Sequence, residues 1–330
     1  MPSSDILARV RATGKVTADD ALEARRVVYA NDGTIDSHEI EALFAIDEAA
    51  READPAWSML LVEAGTDYIV RQQKPSGHID EANADWLIAR IGMDGIVKTA
   101  TELELLVKVL EAAQSSSERL VKFALRQVEY AIVDGVGPLA NGDELERGRV
   151  SRAEADLIRR ILYAFGGEAG IAITRSEAEV LFDINDKSVE AENDPAWTDL
   201  FVKAITNCIM AASGYLVPPR EIALRREEWL DSPNGGVGDF FARMVSGGLR
   251  GIMDSYTTPA GEASWAARNE RTSAAISAAE IVNEEEAGWL AHRIGRDGTF
   301  HENEKALLRF IRAEAPEVHP ALAPLIEKAA

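Results

Sequence analysis

The sequence predicts an all-α fold, a tandem duplicated helical bundle whose two related halves are arranged about a pseudo-two-fold. Three observations carry that expectation. Apolar residues recur at helical spacing along most of the chain and almost nowhere alternate with period two, so strands are not expected. Helix-start chemistry recurs after turns, as in Asp32-Gly33, Met93-Asp94-Gly95 and Arg296-Asp297-Gly298. Two stretches of the second half also repeat the first in the same order. Ile173 to Asp186 matches Ile35 to Glu48 with six identities in fourteen, and Trp289 to Gly298 matches Trp86 to Gly95 with seven in ten. Order-preserving matches of this kind indicate duplication of a unit of roughly 120 residues.

Element by element, Thr17 to Ala30 reads as a first helix, capped by Thr17 with Asp19 and Asp20 in its first turn. After Asp32-Gly33, Asp36 starts a second helix whose Ile40, Leu43 and Phe44 form one apolar stripe. Asp54-Pro55-Ala56-Trp57 starts a third, with Asp54 as cap and Pro55 at the first helical position. Lys74-Pro75-Ser76-Gly77 ends it. Helices follow over about 80–90, 101–113 and 118–133. The first repeat spans 1–147. The second spans 148–330, reuses the start as Asp194-Pro195-Ala196-Trp197, and is interrupted by a glycine-rich insertion at about 231–277. Connections this long are commonly functional or disordered, and this one reads as a flexible linker with a packing helix or, as the alternative, a lid or the contact for an unknown protein partner.

Composition narrows the function. The 330 residues carry 56 acidic and 35 basic side chains, a net charge of -21. That field repels phosphate backbones, so no nucleic-acid partner is expected. No apolar run approaches the length of a membrane helix and the first residues hold no signal core, which gives the expectation of no membrane and a cytoplasmic protein. The single cysteine, Cys208, excludes an internal disulfide and reads as a small buried hydrophobe. The five histidines fall in no compact ligand spacing, and no nucleophile elbow, P-loop or strand-borne dinucleotide fingerprint occurs. No catalytic constellation is legible, so an enzyme is the lesser expectation, one that a pocket joining Asp47 and Asp67 to a histidine would revive.

The Asp-Gly turns admit two chemistries. Laid on the twelve-residue calcium loop of an EF-hand, Gly33 takes position six, Asp32 five, Ile35 eight and Glu39 twelve. Val28 and Ala30 stand where two further ligands belong. The Gly298 loop likewise offers Asp297 and Glu304, and the Gly95 loop offers Asp94 with Glu102 one residue late. The second chemistry is capping. Asp36 with Glu39, Thr99 with Glu102, Thr174 with Glu177 and Ser151 with Glu154 each have capping-box spacing, which alone accounts for these residue types. Asp47 and Asp67 add a further question. Both sit on apolar helix faces, where a carboxylate is costly unless paired, protonated or cation-bound, and the second half has Asn185 and Asn207 in their places.

A helix ending in Asp-Gly, then a short loop, an acid and a Leu-rich helix resembles the tellurite-resistance TerB-like family. The resemblance covers Tyr29 to Phe44, Ile91 to Leu106 and Ile294 to Leu308, and the Asp-Gly is lost over Phe165 to Ile173. It implies all-helical domains with a divalent cation, calcium or magnesium, at helix junctions, and marks Asp32, Asp36, Glu39, Asp94, Glu102, Asp297 and Glu304. The expected function is a non-catalytic acidic helical module binding divalent cations at those junctions. The alternative is a structural or protein-interaction scaffold without metal.

Overall fold

The computed structural model describes residues 2–29, 33–141, 147–164, 173–212, 284–296, 298–314 and 320–329. Asp32, Asp297, the Phe165-to-Gly167 junction and the 231–277 insertion lie outside them. The described chain is mostly helical, as the periodicity requires. Helix starts are specified by the caps. Thr17 and Asp20 form a capping box on α2 (Ala18–Val28), Asp36 and Glu39 on α3 (Ser37–Ala49), and Thr99 and Glu102 on α6 (Ala100–Ala112). Ser151 and Glu154 do the same for α8 (Arg152–Leu162). Each reciprocal pair satisfies two backbone donors that a helix start would otherwise leave bare, worth about 1 kcal/mol per cap. Asp54 caps α4 (Pro55–Thr66) through the Ala56 N–H, and Asp194 accepts from Ala196 at the start of α10 (Pro195–Ala212).

A rhythm of helix lengths emerges. The eleven-residue α2, α5 (Glu81–Ile91) and α8 are each followed across a junction by a thirteen-residue helix: α3, α6 and α9 (Arg175–Lys187). Near the C-terminus α11 (Glu284–Arg293) and α12 (Glu302–Glu314) repeat the pairing with ten and thirteen residues. A short 3-10 turn and α13 (Ala323–Ala329) follow. Counting from Ala18 to Glu81, the first two pairs begin 63 residues apart. The interval is about half the duplicated unit that the sequence suggested.

Two features were not expected. The N-terminal segment forms a helix, α1 (Pro2–Thr13), because Ile6 and Val10 lie one turn apart and are fully buried where α1 packs on α2 and α3. Its own pattern is too sparse to announce it; the tertiary partner makes it. Strands also occur, all two residues long. β1 (Lys15–Val16) runs parallel to β2 (Glu52–Ala53), β4 (Gly92–Met93) antiparallel to β5 (Ile96–Val97), and β3 (His78–Ile79) parallel to β6 (Ser115–Ser116). Two residues cannot display a period of two, so alternation gave no signal.

The parallel ladders belong to one recurring stitch. The Asp54 N–H donates to Val16 O at 3.0 Å, Ser117 to Ile79 O at 2.9 Å, and Asp194 to Val150 O at 2.9 Å. In all three the acceptor immediately precedes the cap of α2, α5 or α8, and the donor immediately precedes α4, α7 (Glu118–Asp134) or α10. Val16, Ile79 and Val150 are buried, so each stitch ties two helix starts to the core.

Two compact units result, Met1–Gly167 with Arg175–Phe201, and Glu168–Thr174 with Val202–Ala330. In the first, α4 packs on α6, α7 packs on α8 and α9, and α1 packs on α3. The first unit therefore extends beyond the sequence repeat at 147 and takes in α8 and α9. Trp57 and Trp197 are fully buried, and Phe201 stands edge-on to Phe182 at 5.2 Å. The α7–α9 seam is bridged by Glu129, 2% exposed, which pairs with Arg126 of its own helix and with Lys187 at 2.8 Å. In the second unit α12 packs on α13, and α11 on the 3-10 turn Pro320–Leu322. Among the described residues no helix is long and apolar enough to cross a membrane.

Candidate functional site

At the first junction Asp36 Oδ1 accepts from the N–H groups of His38 (2.7 Å) and Glu39 (2.8 Å), while Glu39 Oε2 accepts from the Asp36 N–H at 2.9 Å. At the second, Glu102 Oε2 accepts from the Thr99 N–H at 3.0 Å. The C-terminal junction uses both oxygens of its acid: Glu304 Oε1 accepts from Gly295 and Oε2 from His301, each at 2.9 Å. Glu39, Glu102 and Glu304 thus point back at the backbone of their own junctions. Asp94 stands apart at an exposed hairpin tip between β4 and β5, with φ 55. The next residue has φ 83, a left-handed backbone that Gly95 adopts without a side-chain penalty. The structure does not gather these acids into a shared site. Among the described residues no three of His, Cys, Asp and Glu form a group able to hold a metal ion.

Three junctions have a second anchor that sequence reasoning missed. The N–H of the apolar residue after the turn donates at 2.8 Å to a side-chain amide of a distant helix: Ile35 to Gln72, Val97 to Gln127, and Ile173 to Asn207. Gln127, 3% exposed, also donates to Gly95 O at 3.0 Å, so one amide holds both sides of that turn. Gln72 reaches its junction from a π-helical turn, Asp67–Gln72, which continues α4. A signal was present. Gln127 falls in the buried stripe Leu120, Ala124, Gln127, Val128, and a lone amide on such a face needs a partner.

The two carboxylates on apolar faces take different partners. Asp47 is buried and its Oδ1 accepts from Trp57 Nε1 at 2.9 Å. Burial pushes its pKa up, and the indole bond opposes that only in part. Burial also raises Glu102, with the bonds from Thr99 opposing and the charge of Asp47 adding to the rise. Asp67 instead accepts from the Tyr29 hydroxyl at 3.2 Å and pairs with Arg71. Burial, with the negative charge of Asp67 behind it, lifts the Tyr29 phenol to about 12. Among the described residues neither carboxylate is hydrogen-bonded to a histidine.

On the outer side of α4 and α6 runs an open groove of about 830 Å³. Met59, Val62 and Ala100 give it apolar walls, and Thr66, Glu104 and Lys108 lie along it. Met59 is 69% exposed, the most exposed large hydrophobic side chain among the described residues. Comparison of the chain with family models, with curated proteins and with solved structures finds no match.

Proposed function

We propose that the chain is a non-catalytic helical scaffold assembled from a reiterated unit: helix, capped junction, helix, and a third helix that clamps the junction. The observation that supports this reading is the fate of the junction acids. Glu39, Glu102 and Glu304 each spend a carboxylate oxygen on the N–H that precedes their own helix. A cation drawing on the same oxygens would compete with bonds that the helix starts use. The recurring helix lengths and stitches support duplication of the smaller unit within the larger repeat.

The alternative is the acidic module that binds calcium or magnesium at Asp36, Glu39, Asp94, Glu102 and Glu304, with Asp32 and Asp297 completing the outer junctions. Calorimetric titration of the full chain with calcium, magnesium, manganese and zinc separates the two. The scaffold gives no heat above dilution and an unchanged melt. Saturable heat that disappears in Glu39→Gln or Glu304→Gln would overturn it, and a cation at a hundred times Kd would stabilise the fold by about 2.7 kcal/mol.

A further inference from the structure

The clamp helices share a position as well as a task. α4 packs on α2 and α7 on α5, and their side-chain amides hold junction N–H groups 37 and 30 residues upstream. Both enter the core on one fully buried side chain near the helix start, Trp57 in α4 and Leu120 in α7. The segment after α12 repeats this geometry. Pro320-Ala321-Leu322 renews the Pro55-Ala56-Trp57 and Pro195-Ala196-Trp197 starts, its 3-10 turn packs on α11, and Leu322 is fully buried. From there α13, packed on α12, reaches the fourth junction. The Lys328 ammonium lies 5.7 Å from the centre of the Phe300 ring, counting 28 residues from Phe300. Phe300 is the apolar residue after its turn, the place that Ile35, Val97 and Ile173 hold in the other three junctions. Its ring also lies against the turn itself: a Cβ on Gly295 would stand 3.2 Å from Phe300 Cε2.

We infer that α13 is the clamp of the fourth junction and, unlike the other three, a releasable strap held shut by Lys328 over Phe300; the inference rests on the scaffold reading and gives the scaffold a moving part. Little holds α13 in place. It has seven residues, where α4, α7 and α10 have twelve, seventeen and eighteen. A helix that short is not stable in water by itself and persists only through what it covers. It covers little: Leu325 and Ile326 are half-buried, and Ala323, Pro324, Glu327 and Lys328 are exposed. It also holds no asparagine or glutamine, so a cation over an aromatic face stands where the other clamps use an amide hydrogen bond. At an exposed site that contact shifts the closing equilibrium by a factor of about two to five. The fourth junction does not depend on it. Both oxygens of Glu304 already hold the Gly295 and His301 N–H groups, so α13 can leave while the turn between α11 and α12 keeps its own bonds. Opening uncovers Phe300 and the seat of Leu322, a local event of the kind that precedes loss of the whole fold.

Native-state hydrogen exchange of the full chain, read by mass spectrometry, tests this. The amides of α13 are expected to exchange ahead of those of α12 and of Val97. Lys328→Gln and Phe300→Leu each speed α13 exchange about two- to fivefold, and Lys328→Arg, which keeps the cation, leaves it unchanged. Leu322→Ala removes the buried anchor and speeds it about tenfold or more. The Lys328 variants change an exposed side chain, so the melt and the exchange of α4 and α7 stay where they were. Exchange of α13 at the pace of global unfolding would make it a fixed part of the core and overturn the proposal. So would an unchanged α13 rate in Lys328→Gln, or an equal acceleration in α4 and α7. Any of these removes the strap and leaves the clamps of Gln72, Gln127 and Asn207 standing, whereas cation heat at the junctions removes the scaffold itself.

Discussion

Trp57 and Trp197 open the same Asp-Pro-Ala-Trp helix start, and both rings are fully buried. Around the first, Asp47 accepts the indole N–H at 2.9 Å. Around the second, the matching position is Asn185, 1% exposed, and the Trp197 indole N–H has no acceptor among the described residues. One site holds a desolvated acid that its indole bond only partly compensates. The other holds a neutral amide and leaves an indole donor unmatched. Both rings are equally buried, with an acid beside one and an amide beside the other, so this core accommodates a buried indole with or without an acceptor.

The comparison breaks most visibly at Trp57. Trp57→Phe strands Asp47 in the core without its donor and should cost about 2–4 kcal/mol at pH 8, whereas Trp197→Phe should cost less and show no pH dependence. Urea unfolding at pH 5 and pH 8 measures both. Equal losses at the two sites would refute the assignment of the Asp47–Trp57 bond as the distinguishing feature. Next in size is Gln127→Leu, which bares the buried Val97 N–H and should lose about 1–3 kcal/mol in the same assay.

Asp47→Asn converts the first site toward the second. Burial raises the Asp47 pKa, so the folded state holds its proton more tightly than the unfolded chain does. The associated stability is complete below the unfolded value and is lost as pH rises through the raised folded one. Asparagine removes that loss. The variant should be more stable than the parent at pH 8, by on the order of 1 kcal/mol, and nearly equal at pH 4. A constant difference across pH would show that Asp47 does not titrate over that range. The smallest effect belongs to the junctions. Glu39→Gln keeps an acceptor for the Asp36 N–H and should move the melt hardly at all, while Glu39→Ala should lose about 0.5–1 kcal/mol.

What could be read from the sequence was local. The capping pairs Asp36/Glu39, Thr99/Glu102 and Ser151/Glu154 involve residues three apart, and such bonds are written in spacing. The burial of Asp47 followed from its place on the stripe of Ile40, Leu43 and Phe44. The amide clamps escaped because Gln72, Gln127 and Asn207 lie 37, 30 and 34 residues from the N–H groups they hold. The stitches escaped because two of them carry ladders only two residues long and the third, Asp194 to Val150, is a lone backbone bond. α1 escaped because its helicity depends on the partner that covers Ile6 and Val10. The EF-hand numbering was a true statement about spacing, and Glu39 and Glu304 at position twelve each accept a hydrogen bond from the backbone N–H that precedes their own helix.

The Gln127 clamp has a consequence for solvent exchange. Val97 follows an exposed hairpin tip, where a backbone amide would ordinarily trade its hydrogen with water quickly. Its N–H is instead bonded to a buried side chain on α7. Deuterium can enter there only when α7 withdraws, so this loop amide should exchange at the pace of the core helix rather than that of its neighbours at Asp94 and Gly95. A single slow amide beside fast ones makes Val97, buried just behind an exposed turn, a reporter of motions that begin inside.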